Sequence, residues 1–209
     1  MSAEAYSAFS PSKGSVRFTG PLFLLYGRSL QPPKGACYNN CMEKKTSRLV
    51  HPLRPVFDKR SRILILGTFP SVKSRETGFY YGNPHNRFFP VLAALFGRPV
   101  PEGTENRRCF LLENRIAVFD VLRSCEIRGS ADASIKAPEP NDLTEILQTA
   151  DIRAIAANGK KAGELYRRYC KEAVERPALC LPSTSPANAG MTLEKLIGVW
   201  KVLLEYLKE

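Results

Sequence analysis

Ile63-Leu-Ile-Leu66, closed by Gly67, is the stretch that decides the fold. Four consecutive branched apolar residues without alternation fit a strand covered on both faces, and such strands usually belong to parallel sheets. Ile116-Ala-Val-Phe119 before Asp120, Ile152-Arg-Ala-Ile-Ala-Ala157 before Asn158-Gly159, and Ala178-Leu-Cys-Leu181 repeat the signature. Helical spacing separates the strands. Phe88, Val91, Leu92, Leu95 and Phe96 share one stripe that Gly97-Arg-Pro99 stops, Asp142 to Gln148 reads as a short capped helix, and Lys161 to Tyr169 reads as another. The stripe Leu193, Leu196, Ile197, Trp200, Leu203, Leu204 and Leu207 predicts a closing amphipathic helix over 192–207. Strands alternating with helices define an α/β class: a three-layer αβα domain around a central, mostly parallel, four-stranded sheet.

In such sheets ligands bind at the carboxyl ends of the strands. The residues to question are therefore Thr68 to Ser71, Asp120, Asn158 to Lys160, and Ser183 to Asn188. The first connection is much longer than a strand-to-helix link needs, and long structured loops at this place tend to carry function. It holds Gly67-Thr-Phe-Pro-Ser71 and Gly78-Phe-Tyr-Tyr-Gly-Asn-Pro-His-Asn-Arg-Phe-Phe89.

Composition narrows the partner. Thirty-one Lys+Arg against 20 Asp+Glu give a formal charge of +11, a field that draws polyanions, so nucleic acid leads. No apolar run approaches the roughly 20 residues of a membrane span, and no signal-peptide pattern opens the chain, so a cytoplasmic protein without membrane partners is expected. Six Cys in 209 residues do not form a small disulfide framework. Residues 1–50 mix Ser, Gly and Pro with one apolar patch, Pro21 to Tyr26, and are expected to form a poorly ordered extension ahead of the domain 51–209. Met42 is an alternative start that N-terminal sequencing of the native protein would test.

Taken in order, several motifs resemble the uracil-DNA glycosylase superfamily, most closely its hypoxanthine-DNA (deoxyinosine) glycosylase branch. That branch carries Gly-Ser/Thr-Phe-Pro-Ser, then Tyr-Tyr-Gly-x-Pro-x-Asn-Arg-Phe-Trp; here Phe89 stands where Trp is common. Asp120-Val-Leu-Arg-Ser-Cys125, Gly129-Ser130, Asn158-Gly-Lys-Lys-Ala162 and Leu181-Pro-Ser-Thr-Ser-Pro-Ala-Asn-Ala189 extend the similarity from about His51 to the end. The resemblance implies a monofunctional, cofactor-free glycosylase domain over 51–209, a monomer acting on double- or single-stranded DNA that contains a damaged base. It would be cytoplasmic and associated with the nucleoid through DNA. Hypoxanthine is the first expected substrate and uracil the second.

The resemblance also implies site residues. Phe69 stands where many relatives carry the water-placing Asn or Asp, so the water must be held elsewhere, and the branch's catalytic Asn falls on Asn86. An amide carbonyl that accepts from water suits an oxocarbenium-like transition state, where positioning outweighs basicity. Against this, an Asn before a helix is also a good N-cap, worth about 1 kcal/mol. Tyr81 corresponds to the aromatic that stacks on the extruded base, while Phe79, Tyr80, Phe88 and Phe89 are expected in the core. Phe69, Asp120, Asn158 and Ser183 are expected around the base. A carboxylate and an amide suit the N1–H, O6 and N7 of hypoxanthine, although Asp120 and Asn158 could equally cap or turn the chain. Ser71, Lys160, Ser185 and Asn188 are expected at DNA phosphates. Ala187 stands where relatives often carry a larger wedge, and the whole 182–188 loop could instead be a plain Ser/Thr turn. His51 and His85 lack carboxylate partners at metal spacing, so no metal is assigned. Cys37-x-x-x-Cys41 invites an iron–sulfur reading that the four scattered cysteines do not support.

Overall fold

β2 (Ile63–Gly67), β3 (Ile116–Asp120) and β6 (Ala154–Asn158) are buried at every position, as continuous apolar runs require. With β7 (Ala178–Leu181) they form a fully parallel sheet in the order β3-β2-β6-β7. The computed structural model describes residues 48–208. The expectations on Pro21–Tyr26, Cys37, Cys41 and Met42 fall outside the described residues.

The strand order explains where a ligand can sit. The chain moves from β2 to β3 on one side, then crosses back to β6 and continues to β7 on the other. Right-handed crossovers in opposite directions put the intervening helices on opposite faces. α2 (Phe88–Phe96) and α3 (Thr104–Glu113) thus cover one face, and α4 (Thr144–Thr149) and α5 (Lys160–Tyr169) the other. The carboxyl ends of β2 and β6 lie side by side where the winding reverses, which leaves a crevice between the loops that follow Gly67 and Asn158.

α7 (Leu193–Trp200) packs beside α2, with Trp200 and Phe88 edge to face at 6.0 Å, both fully buried. Thr192 caps it by accepting from Lys195 N–H. The stripe expected to be one helix continues as a 3₁₀ segment over Lys201–Leu207, so its periodicity holds while its winding tightens. No helix among the described residues is long and apolar enough to cross a membrane.

A second sheet went unread in the sequence. β1 (Arg48–Val50), β4 (Leu122–Glu126) and β5 (Lys136–Pro140) pair antiparallel in the order β1-β4-β5. Arg48–Val50, which the composition had grouped with a poorly ordered extension at 1–50, are therefore a strand. From β1 the chain runs along the outside of β3, where Val56 and Val118 exchange both backbone hydrogen bonds at 2.9 and 2.8 Å. That run covers the sheet's edge and delivers His51 to the end of β3.

Candidate active site

The crevice is real and is lined by Gly67 to Ser74, Tyr80, Tyr81, Asn83, Asn86, Asp120, Ser130, Asp132, Asn158 and Ser183 to Pro186. Of the residues expected at the site, Asn86, Phe69, Tyr81, Asp120, Asn158, Ser183, Ser71 and Ser185 all line it. Lys160 and Asn188 do not. Lys160 is exposed and faces a separate groove with Arg167 and Lys171, while Asn188 turns inward and donates from Nδ2 to the Ser183 carbonyl at 2.9 Å. Phe79, Tyr80, Phe88 and Phe89 are core, as expected.

Asn86 does cap α2. Its Oδ1 accepts from Phe88 N–H at 3.0 Å and from the Thr184 hydroxyl at 2.9 Å, so both lone pairs of the carbonyl are engaged. The carbonyl expected to be open to water is thus occupied in the resting protein. Thr184 is fully buried and is the hub of the site. Its hydroxyl accepts from Asn158 Nδ2 at 2.9 Å, and its backbone N–H donates to Asn158 Oδ1 at 2.9 Å. Asn158, expected as a base reader, therefore spends both ends of its amide holding the 182–188 loop against β6.

Arg87 fixes the same loop from the other side. Its backbone N–H and Nε donate to the Thr184 carbonyl, NH2 donates to the carbonyls of Ser185 at 2.6 Å and Asn188 at 3.0 Å, and NH1 donates to that of Met191. Trp200 Nε1 holds the Pro182 carbonyl at 3.0 Å. The loop is a Ser/Thr turn as well: Ser183 Oγ accepts from Ser185 N–H and Ser185 Oγ from Ala187 N–H, both at 3.2 Å. Ser71 caps the short helix α1 (Val72–Thr77), accepting from Ser74 N–H at 3.2 Å. The Ser183 and Ser185 hydroxyls accept from the backbone yet keep their own O–H to donate, whereas Ser71 Oγ also shares a hydrogen bond with Ser74 Oγ at 3.0 Å.

Asp120 is buried at the carboxyl end of β3 and its Oδ2 accepts from His51 Nε2 at 2.9 Å. His51 Nδ1 accepts from Leu53 N–H at 3.2 Å, so Nε2 carries the ring proton. The ring itself is enclosed by Phe69, Tyr80 and Phe119. A buried carboxylate costs several kcal/mol unless a donor meets it, and His51 is that donor. Asp132, at the mouth, accepts from the Thr68 hydroxyl at 3.1 Å. Withdrawal from water holds its carboxyl above the ordinary range, opposed by Thr68 and reinforced by Asp120.

Gly67 marks the tightest point. A Cβ there would lie 2.2 Å from Asp120 Oδ1 and 3.7 Å from the Tyr81 hydroxyl. Because His51 pins the carboxylate, Gly67→Ala has no cheap escape. It is expected to cost about 1–3 kcal/mol by overpacking and to obstruct the cleft, seen as a lower melting temperature together with weaker binding of lesion-containing duplex.

Tyr81 has a left-handed backbone at φ 53°, and its ring stacks on Phe88 at 3.7 Å and 16°. One ring face is thus already covered, and the hydroxyl points to Gly67. That hydroxyl is buried without a hydrogen-bond partner. Burial first, and the Asp120 carboxylate second, hold its pKa well above the ordinary tyrosine range, with the Asn158 amide opposing.

Sequence reasoning missed Arg87, Thr184 and Asp132 and set His51 aside. Arg87 stood next to Asn86 in the motif, but nothing local marks a partner 98 residues away. Among the described residues no three His, Cys, Asp or Glu side chains converge in a way that could hold a metal.

The site is thus a polar, aromatic-walled cleft at the switch point of a doubly wound sheet, flanked by a pinned Ser/Thr loop. The uracil DNA glycosylase superfamily model matches residues 54–204, and the chain belongs to that family. Among its relatives, the hypoxanthine DNA glycosylase of Methanosarcina acetivorans is 35% identical over 135 residues, covering 64% of this chain and 84% of the relative. That of Methanosarcina barkeri is 34% identical over 112 residues, covering 53% and 71%. A solution NMR structure of a Methanosarcina acetivorans protein, provisionally described as a uracil DNA glycosylase, superposes with a TM-score of 0.63 at 30% identity. It covers 75% of this chain and 99% of that one.

Proposed function

We propose that this DNA glycosylase is monofunctional, extrudes hypoxanthine from deoxyinosine in DNA and hydrolyses its N-glycosidic bond with water. The observation that carries the reading is the convergence of Asn86, Asp120 and the pinned 182–188 loop on one cleft, in a chain similar to two proteins named for hypoxanthine. Extrusion brings the base against Phe69, whose ring lines the cleft wall. Ser71, Ser183 and Ser185 line the same cleft, and in this reading their hydroxyls meet phosphate oxygens.

For Asn86 to hold the nucleophile, the Thr184 hydroxyl must turn away from its carbonyl, a rotation open to any hydroxyl. Water then takes that lone pair and lies under the sugar, placed rather than deprotonated, while C1′ gains positive charge. A bifunctional lyase would need an amine nucleophile in the cleft. Lys73 lines it, but its ammonium is paired with Glu76 at 2.7 Å.

The engaged carbonyl of Asn86 favours one second reading, a damage-binding relative without turnover. Single-turnover release from duplexes carrying one inosine, one uracil or only ordinary bases separates these readings. Release of hypoxanthine is the expected result. Release of uracil alone would move the substrate assignment, and tight binding to inosine duplex without release of any base would replace the enzyme with the binder.

A further inference from the structure

At the floor of the cleft two oxygens of opposite hydrogen-bonding character face the same point. Asp120 Oδ1 and the Tyr81 hydroxyl both lie within 4 Å of where a Cβ on Gly67 would stand, so the missing side chain leaves them facing one space. They do not bond each other, and the hydroxyl, although the Asn158 amide lies near it, has no hydrogen bond of good geometry. A buried O–H without an acceptor costs about 1–3 kcal/mol, and it marks a place where a ligand acceptor belongs. The carboxylate beside it can only accept. Its other oxygen is committed to His51, and His51 is committed in turn by Leu53 N–H.

From this geometry, and resting on the glycosylase reading above, we infer that Asp120 and Tyr81 together read the lactam edge of the extruded base, and that His51 is the positioning residue that fixes the polarity of this reader. The ring N–H of the lactam donates to Asp120 Oδ1, and the adjacent carbonyl accepts from the Tyr81 hydroxyl. Hypoxanthine, xanthine and uracil offer that N–H and C=O pair. Adenine and cytosine, the parents of hypoxanthine and uracil before deamination, offer the reverse, a ring nitrogen acceptor beside an amino donor, and would set lone pair against lone pair and donor against donor. Guanine and thymine share the lactam edge, so their exclusion falls to other contacts.

The role of His51 makes a sharp test possible. In Asp120→Asn the Nε2–H of His51 must be met by the amide oxygen, so the NH2 is turned toward the cleft and the reader's polarity reverses. Inosine excision is then expected to fall roughly a hundred-fold, and Tyr81→Phe, which keeps the ring on Phe88, to lower it about ten-fold. Adding His51→Leu to Asp120→Asn frees the amide to turn its oxygen back, and is expected to recover at least about five-fold of the loss. Simple structural damage does not produce a gain from a second lesion. With the unmodified protein, 1-methylinosine, which lacks the ring N–H, should be released at least about ten-fold more slowly than inosine.

Single-turnover excision and melting temperature are measured for every variant. If both single variants stay within about two-fold of the parent, or if 1-methylinosine leaves as fast as inosine, the lactam-edge reader is wrong while the glycosylase stands. If the parent protein releases no base, the glycosylase reading is what fails. Fluorescence anisotropy with inosine and adenine duplexes then tests the reader alone: an inosine preference lost in Asp120→Asn supports it, and equal affinity overturns it.

Discussion

Replacing Asn86 by Ala is expected to slow base release by roughly a hundred- to a thousand-fold, the usual effect of losing one placed polar group in an active site. Two contributions have to be separated. The same carbonyl accepts from Phe88 N–H at the start of α2, so the substitution also removes a hydrogen bond worth about 1 kcal/mol. It further strips the Thr184 hydroxyl of its acceptor. Asn86→Asp is the useful companion, because a carboxylate oxygen still accepts from both donors and should hold the melting temperature near that of the parent. Single-turnover rates set beside melting curves give the answer: a rate lost by Ala far beyond what its melting shift explains assigns the side chain to the chemistry. A rate that survives in Ala would leave Asn86 as a cap.

Arg87→Met should produce the largest structural loss. The guanidinium satisfies the carbonyls of Thr184, Ser185, Asn188 and Met191 at once, and hydrogen bonds to a charged donor contribute about 1.5–3 kcal/mol each before non-additivity. A net destabilisation of about 2–4 kcal/mol is expected. In a domain of this size that lowers the melting temperature by several degrees, at about 2–4 °C per kcal/mol. Activity should fall with it, since the loop carrying Ser183 and Ser185 loses its anchor. Arg87→Lys should not rescue, because a single ammonium cannot span carbonyls that a planar fork reaches. Calorimetric unfolding together with inosine excision checks both parts, and a Lys variant equal to the parent would show that the fork geometry is dispensable.

The parallel sheet was legible because β2, β3 and β6 lie between two helical layers, so nearly every position had to be apolar and each run stood out. The antiparallel sheet left no such trace. β4 interleaves Arg123 and Glu126 with buried Leu122 and Cys125, and β5 is Lys-Ala-Pro-Glu-Pro, whose partial exposure asks for no apolar pattern. β1 is three residues long and exists through pairing with β4 alone. The site divides in the same way. Residues at the carboxyl ends of strands, Asp120 and Asn158 among them, were legible from topology. Their roles were not, because Asn158 is engaged by Thr184 and Asp120 by His51, each across a long stretch of chain. Asn86 was legible as a position, yet only coordinates reveal that its two lone pairs are already spoken for.

The backbone of Tyr81 has a consequence for how this protein could be engineered. An L residue in the left-handed region gives up about 1–2 kcal/mol that Gly would not, while burying an aromatic ring against Phe88 returns about 1.5–3 kcal/mol. The two nearly cancel, so thermal screening is almost blind at this position. A library selected on heat resistance would let Gly or Asn drift in unnoticed, and the resulting proteins would be robust yet lack the hydroxyl that the inference above assigns to the base edge.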